Sequence, residues 1–202
     1  MEAPISLTNH YIQVPFAKII FPYDTSLFEL KHSELVKVKN EHVARGTSHQ
    51  VVYLDREEDV MQLDSKLYVQ QVAHHNPRIT FGRIELLADA KVCTRTGLVQ
   101  RIVKEGATLK VLEVIPHKEN PDIVRYRIGK DSYISSLEAV KFIIGHITVA
   151  NNEKVYTNGT FYNLTANVPY FYDKVHANII HLTELDIWVD VSKLGTHRFE
   201  LI

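Results

Sequence analysis

The chain has 202 residues, with 23 Lys and Arg against 24 Asp and Glu, a net charge of −1 and a pI near 6.8. That balance lacks the basic surplus that marks nucleic-acid binders, so no nucleic-acid partner is expected. A single cysteine, Cys93, excludes an intrachain disulfide framework, and no apolar run approaches the roughly 20 residues needed to cross a bilayer.

The first 20 residues carry Glu2, Pro4, Asn9 and His10 without a basic start or a long apolar core, so no secretory signal and no membrane partner are expected. Without export, the glycosylation-type triplets at Asn158 and Asn163 read as chance matches. A first strand is predicted over Ile5 to Thr8. Phe16 to Phe21 is strongly apolar and Pro22 to Thr25 turns. Strands are predicted at Leu27–Leu30, Leu35–Val38 and Gln50–Leu54, with a polar loop over Asn40–His49. The charged turn Asp55–Asp59 leads into Val60–Leu63 and Lys66–Val69. Leu54, Val60, Met61 and Leu67 make no clean stripe of period 3.6, so a hairpin is preferred to a helix over 55–67. The polar, Pro-bearing run Ala73–Arg78 is the best boundary, and Ile79–Phe81 is expected to begin a central unit. A second boundary falls near Gly145-His146. The predicted units are therefore 1–76, 77–145 and 146–202.

The central unit reads as a small, complete β-barrel. Its predicted strands are Lys91–Thr94, Leu98–Val103, the well-alternating Thr108–Ile115, Ile123–Ile128, Ser132–Ser135 and Val140–Ile144. Turns fall at Arg95–Gly97, Lys104–Ala107, the polar loop Pro116–Asp122 and Gly129–Asp131. Ser136–Ala139 is predicted as one helical turn with Ser136 at its N-cap. So many short strands in so few residues argue a small barrel or sandwich. The order of strands, with Lys104-Glu105-Gly106 before the long strand and Tyr133-Ile134 near the end, resembles bacterial SH3-type (SH3b) modules. Where those modules usually carry Gly-Trp-Val, this chain has Ser132-Tyr133-Ile134. The resemblance covers about a third of the chain and implies a fold more than a task.

The last unit is rich in aromatics. Strands are predicted at Ile147–Ala150, Lys154–Tyr156, Phe161–Leu164, Asn178–Leu182 and Asp186–Val191. Asn158-Gly159 is a hairpin signal of good quality, and Pro169 restricts its strand to an edge or a first position. An aromatic followed by a β-branched residue recurs at Tyr68-Val69, Tyr133-Ile134 and Trp188-Val189, with spacings of 65 and 55 residues. Those spacings suit small barrels rather than a solenoid. The expected fold is all-β, with tandem small SH3-like barrels packed into one rigid body; a single larger β protein around one central barrel is the alternative. Units this small are marginal alone, and the apolar links between them favour mutual packing.

No catalytic constellation emerges. His74-His75 would point to opposite faces of a strand, the H-x3-H and C-x2-C spacings are absent, and His176 and His181 lack an obvious third ligand. Asp55, Glu57, Glu58 and Asp59 lack the spacing and glycine of a calcium loop and read as a solvated turn. Cys93 lies in a predicted strand and reads as a small core residue rather than a nucleophile. No phosphate-binding glycine loop is present. No metal and no cofactor are expected.

The aromatic residues carry the remaining signal. Aromatic faces stack on sugars and peptide-like ligands. The SH3b resemblance implies a wall-binding groove near Tyr133 and Trp188, and Tyr170 and Tyr172 join them as candidates. Packing inside a core or between units is the favoured reading of the same side chains, with a protein–protein face as the remaining alternative. The favoured function is a non-enzymatic structural or docking protein, by analogy a bacteriophage virion component (tail, baseplate or neck) that meets other subunits through protein–protein contacts. Multi-copy assembly is then expected, with a virion location, or a cytoplasmic one before lysis. The alternatives are a cell-wall (peptidoglycan) binding module, or an enzyme whose site is scattered along the chain.

Overall fold

A computed structural model describes residues 14–202 apart from 33, 56–57, 65–66, 71, 76 and 121–122. The strand predicted over Ile5 to Thr8, and Glu57 of the acidic turn, lie outside the described residues. The fold is all-β: every sheet is antiparallel, and the described helical structure amounts to two short 3-10 turns.

The first sheet contains β1 (Ala17–Ile20), β2 (Thr25–Lys31), β3 (Glu34–Val43), β4 (Ser48–Asp55), β5 (Val60–Leu63), β6 (Tyr68–Gln70) and, after a 3-10 turn at Val72–His75, β7 (Arg78–Thr80). Their order is β3-β2-β6-β5-β4-β1-β7. The described residues of 55–67 belong to a hairpin and not a helix, with Leu54 opposite Met61 and Asp55 opposite Val60. The loop predicted over Asn40–His49 is shorter, because β3 runs on to Val43, which is buried opposite Thr25. β7 pairs with β1, placing Ile79 opposite Ile19. Residues 79 and 80 thus close the first sheet instead of opening the central one.

The central strands are β8 (Arg83–Leu86), β9 (Ala90–Cys93), β10 (Val99–Val103), β11 (Thr108–Lys110), β12 (Glu113–Pro116), β13 (Val124–Gly129), β14 (Ser132–Ser135) and β15 (Val140–Ile143). They form two sheets, β10-β9-β14-β13-β12 and β11-β8-β15. The single strand predicted over Thr108–Ile115 is broken in two. Val111 is fully buried and its N–H donates to Gly82 O, whereas the Leu112 N–H donates to Arg127 O. The chain therefore changes sheet between these two residues. The helical turn predicted over Ser136–Ala139 is a non-helical turn: the Glu138 N–H donates to Ser135 O, Ser135 Oγ accepts from the Leu137 N–H, and Ser136 Oγ accepts from the Val124 N–H.

The last strands are β16 (Gly145–Val149), β17 (Glu153–Thr157), β18 (Thr160–Leu164), β19 (Pro169–His176), β20 (Ile179–Leu182), β21 (Ile187–Asp190) and, after a 3-10 turn at Val191–Lys193, β22 (His197–Leu201). Five of them form the sheet β21-β20-β19-β16-β22, and β17-β18 is a separate hairpin. Its turn residues Asn158 and Gly159 both have positive φ, 51° and 79°, as a two-residue hairpin turn demands. Pro169 opens β19, where a missing N–H is tolerated.

One pairing scheme recurs three times. The first strand of each unit (β1, β8, β16) pairs with its last (β7, β15, β22). On its other side it pairs with a strand (β4, β11, β19) whose line continues through a neighbour (β5, β13, β20) to a closing strand (β6, β14, β21). In the centre that line is the one interrupted at Val111. Each unit also has a hairpin from its second and third strands, and each closing strand runs into a turn before the last strand. Tyr68, Tyr133 and Trp188 occupy the same station in this scheme.

Each unit has its own hydrophobic core, and three phenylalanines tie the cores together. Phe16 packs against the first and last, Phe81 against the first and central, Phe142 against the central and last. Phe16 and Phe81 stack with ring centroids 6.4 Å apart. Polar ties add to this: Lys18 Nζ donates to Leu201 O at 2.7 Å, and the buried Tyr172 hydroxyl donates to Pro15 O at 2.8 Å. Two glycines permit close approach of the backbone within the central and the last unit. A Cβ on Gly82 (φ +121°) would lie 2.3 Å from Ile143 O, and one on Gly145 would lie 2.5 Å from Glu200 O.

Candidate functional site at the junction of the three units

The three phenylalanines wall an open cavity of about 570 Å³. Phe16, Val52 and Leu54 contribute the first unit's side, Phe81, Val114 and Phe142 the central side, and Ile144 and Val175 the last. This volume falls within the range of small-molecule sites, which are mostly apolar with a few polar groups. Here the polar groups are Tyr53, Asp173 and Lys174. The Tyr53 hydroxyl donates to Asp55 Oδ2 at 3.2 Å; burial, then that carboxylate, raises its pKa. Tyr126, packed 5.0 Å from Phe142, is pushed up to about 12 by burial and, secondarily, by the Asp173 charge.

Asp173 connects the cavity to the outer face of the last sheet. Its Oδ1 lies 2.6 Å from His181 Nδ1, and His181 Nε2 lies 3.0 Å from Asp186 Oδ1. The imidazole is thus held at both nitrogens, leaving neither for a nucleophile, so the trio works as a clamp rather than a base. His181 in turn supports Trp188, with ring centroids 5.2 Å apart. Next along the same sheet, Phe171 meets His146 edge-on at 5.8 Å and Lys141 Nζ at 5.7 Å. The clamp was invisible in sequence because its three members are brought together only by the β19–β20–β21 meander.

The predicted groove aromatics do not share one surface. Tyr170 and Tyr172 point into the core of the last unit; Tyr172 is fully buried, and burial raises its phenol well above the ordinary range. Trp188 stands on the opposite face of that sheet, opposite His181 and 41% exposed. Tyr133 lies in the central unit, opposite Cys93 and Arg127, 8% exposed, with the Arg125 guanidinium 5.8 Å from its ring centre. Cys93 is half-buried on β9. His74 and His75 sit in the 3-10 turn, where His75 meets Phe21 edge-on. Among the described residues no group of three His, Cys, Asp or Glu is placed to hold a metal ion.

No protein-family model matches the chain, and no curated protein matches its sequence.

Proposed function

We propose that this chain is a non-enzymatic docking protein: three small SH3-like barrels packed as one body, working as a subunit of a bacteriophage virion part such as a tail, baseplate or neck. The observation that carries this reading is the threefold pairing scheme welded at Phe16, Phe81 and Phe142. Shared core residues make a stiff body, and stiffness suits a part that transmits position between neighbours. Apolar side chains left on the surface, among them Leu98, Tyr156 and Phe161, suit contact with other subunits. The test is mass spectrometry and immunogold labelling of purified particles from the host system that carries this gene. Stoichiometric presence in the particle is expected; a chain found only in the particle-free supernatant overturns the reading.

A second reading has its own support. Trp188, propped by His181, is an exposed aromatic platform of the kind that stacks on sugar rings. It supports a peptidoglycan-binding module. Pull-down on purified cell wall, with loss of binding in Trp188→Ala, is the result expected of that reading.

A further inference from the structure

The described units present their sheet edges differently. β3, an edge of the first sheet, interleaves charges of both signs: Glu34, Lys37, Lys39 and Glu41. β12, one edge of the central five-stranded sheet, has four residues and ends at Pro116. Both carry the usual guards against pairing with another chain. β10, the opposite edge of that sheet, has weaker guards. Four of its five residues are exposed, and Val99 and Ile102 are 57% and 59% accessible. Leu98, immediately before it, is 70% accessible. No strand pairs with its outer side among the described residues.

Charge selects the occupant. Residues 81–144 hold eleven Lys and Arg against eight Asp and Glu, a net +3, although the whole chain is −1. Lys91, Arg95, Arg101 and Arg125 are exposed around β9 and β10, and none forms an ion pair with a carboxylate among the described residues. Lys91 pairs in register with Ile102, so cation and apolar side chain share one face. A second copy is a poor occupant: a two-fold pairing centred on β10 sets Arg101 against Arg101, and like charges directly opposite are destabilising.

We propose that β10 receives an extended acidic segment of a partner protein, added antiparallel or parallel as a further strand, with alternate apolar side chains over Val99 and Ile102 and the carboxylates between them on the other face, toward Arg101, which pairs in register with Val92. Backbone hydrogen bonds would supply affinity, and the cations would supply choice of partner and salt dependence. This rests on the docking reading and names the chemistry of one docking edge.

The test is fluorescence anisotropy of the full chain with a labelled nine-residue peptide alternating Glu with Val. Three controls are used: the same peptide with Lys for Glu, one N-methylated at alternate residues, and the chain carrying Arg101→Glu. Saturable binding of the Glu peptide is expected, weakened about tenfold or more by N-methylation, by Arg101→Glu and by the Lys swap. Circular dichroism of Arg101→Glu verifies its fold, and Arg101→Gln serves as the second variant. Absence of saturable binding, or equal binding of the N-methylated or Lys peptide, overturns the proposal. Incorporation of Arg101→Glu and Arg101→Gln into particles separates the two readings. Normal incorporation combined with failed peptide binding leaves docking standing and removes this edge from it.

Discussion

Tyr133 and Trp188 stand at the same point of the same pairing scheme, yet one is covered and the other faces solvent. The difference lies in the hairpin each unit folds beside its closing strand. In the central unit β9 joins the sheet, with Cys93 opposite Tyr133, so the ring is roofed within its own unit, by β9 and by the Arg125 guanidinium. The first unit does the same with Phe28 opposite Tyr68, whose phenol burial raises accordingly. In the last unit β17-β18 forms a separate two-stranded sheet with no pairing to β21, and Trp188 is left to stack on the clamped His181. A repeated fold thus frees one aromatic per three by withholding a single strand pairing.

The largest losses are expected where a glycine lets the backbone close up inside each of the two units. Gly145→Ala drives a Cβ against Glu200 O, and Gly82→Ala adds a side chain at φ +121° against Ile143 O. Each is expected to cost about 3 kcal/mol or more, since neither obstacle is a movable side chain. Thermal unfolding of the two variants checks this; unchanged midpoints would mean that the strands do not approach so closely within each unit.

Truncating the two aromatics tests the comparison itself. Tyr133→Ala should cost about 3 kcal/mol, as removal of a buried ring does, while Trp188→Ala should cost under about 1 kcal/mol. Urea titrations measure both, and equal losses would refute the contrast.

The turn after Trp188 offers a smaller effect. Asp190 caps the Val191–Lys193 turn by accepting from the Ser192 N–H, and the Ser192 hydroxyl, first among the causes, holds its carboxyl below the ordinary range. Asp190→Ala should cost about 1 kcal/mol at neutral pH. A depressed carboxyl contributes above its unfolded pKa and loses that contribution as pH falls through its folded value, so the variant should converge on the wild type in acid. Tyr126 sharpens the central unit's side of the comparison with the opposite sign. Its phenol, raised from 10.0 to about 12, favours the folded state fully below pH 10, and that share is lost as pH rises toward 12. Tyr126→Phe should therefore flatten the alkaline end of the stability curve, measured by urea unfolding between pH 9 and 11.5 with the late phenolate step missing from the ultraviolet titration.

Much of the strand map was legible because alternation is a local property. Val124–Gly129, the Asn158-Gly159 hairpin and the short strand at Tyr133 all read directly from side-chain period and turn chemistry. β8 and β22 escaped although Arg83–Leu86 and His197–Leu201 alternate too. Each is only four or five residues long, and each is held by partners from far along the chain. The break at Val111 escaped for a related reason: nothing in Thr-Leu-Lys-Val-Leu-Glu says that its two halves serve different sheets. The candidate site was the least legible part. Phe16, Phe81 and Phe142 look like ordinary core residues in isolation, and Asp173, His181 and Asp186 have no motif spacing.

The amino-acid order alone dictated that this chain would be built of short strands, with an aromatic-and-branched pair closing each unit, because backbone period and turn preference depend on neighbours a few residues away. Which aromatic meets water, which phenylalanines join the cores and which edge stays open were settled only by long-range pairing. Those outcomes depend on whether a hairpin tens of residues away completes a sheet, and that choice is made by packing of the whole body.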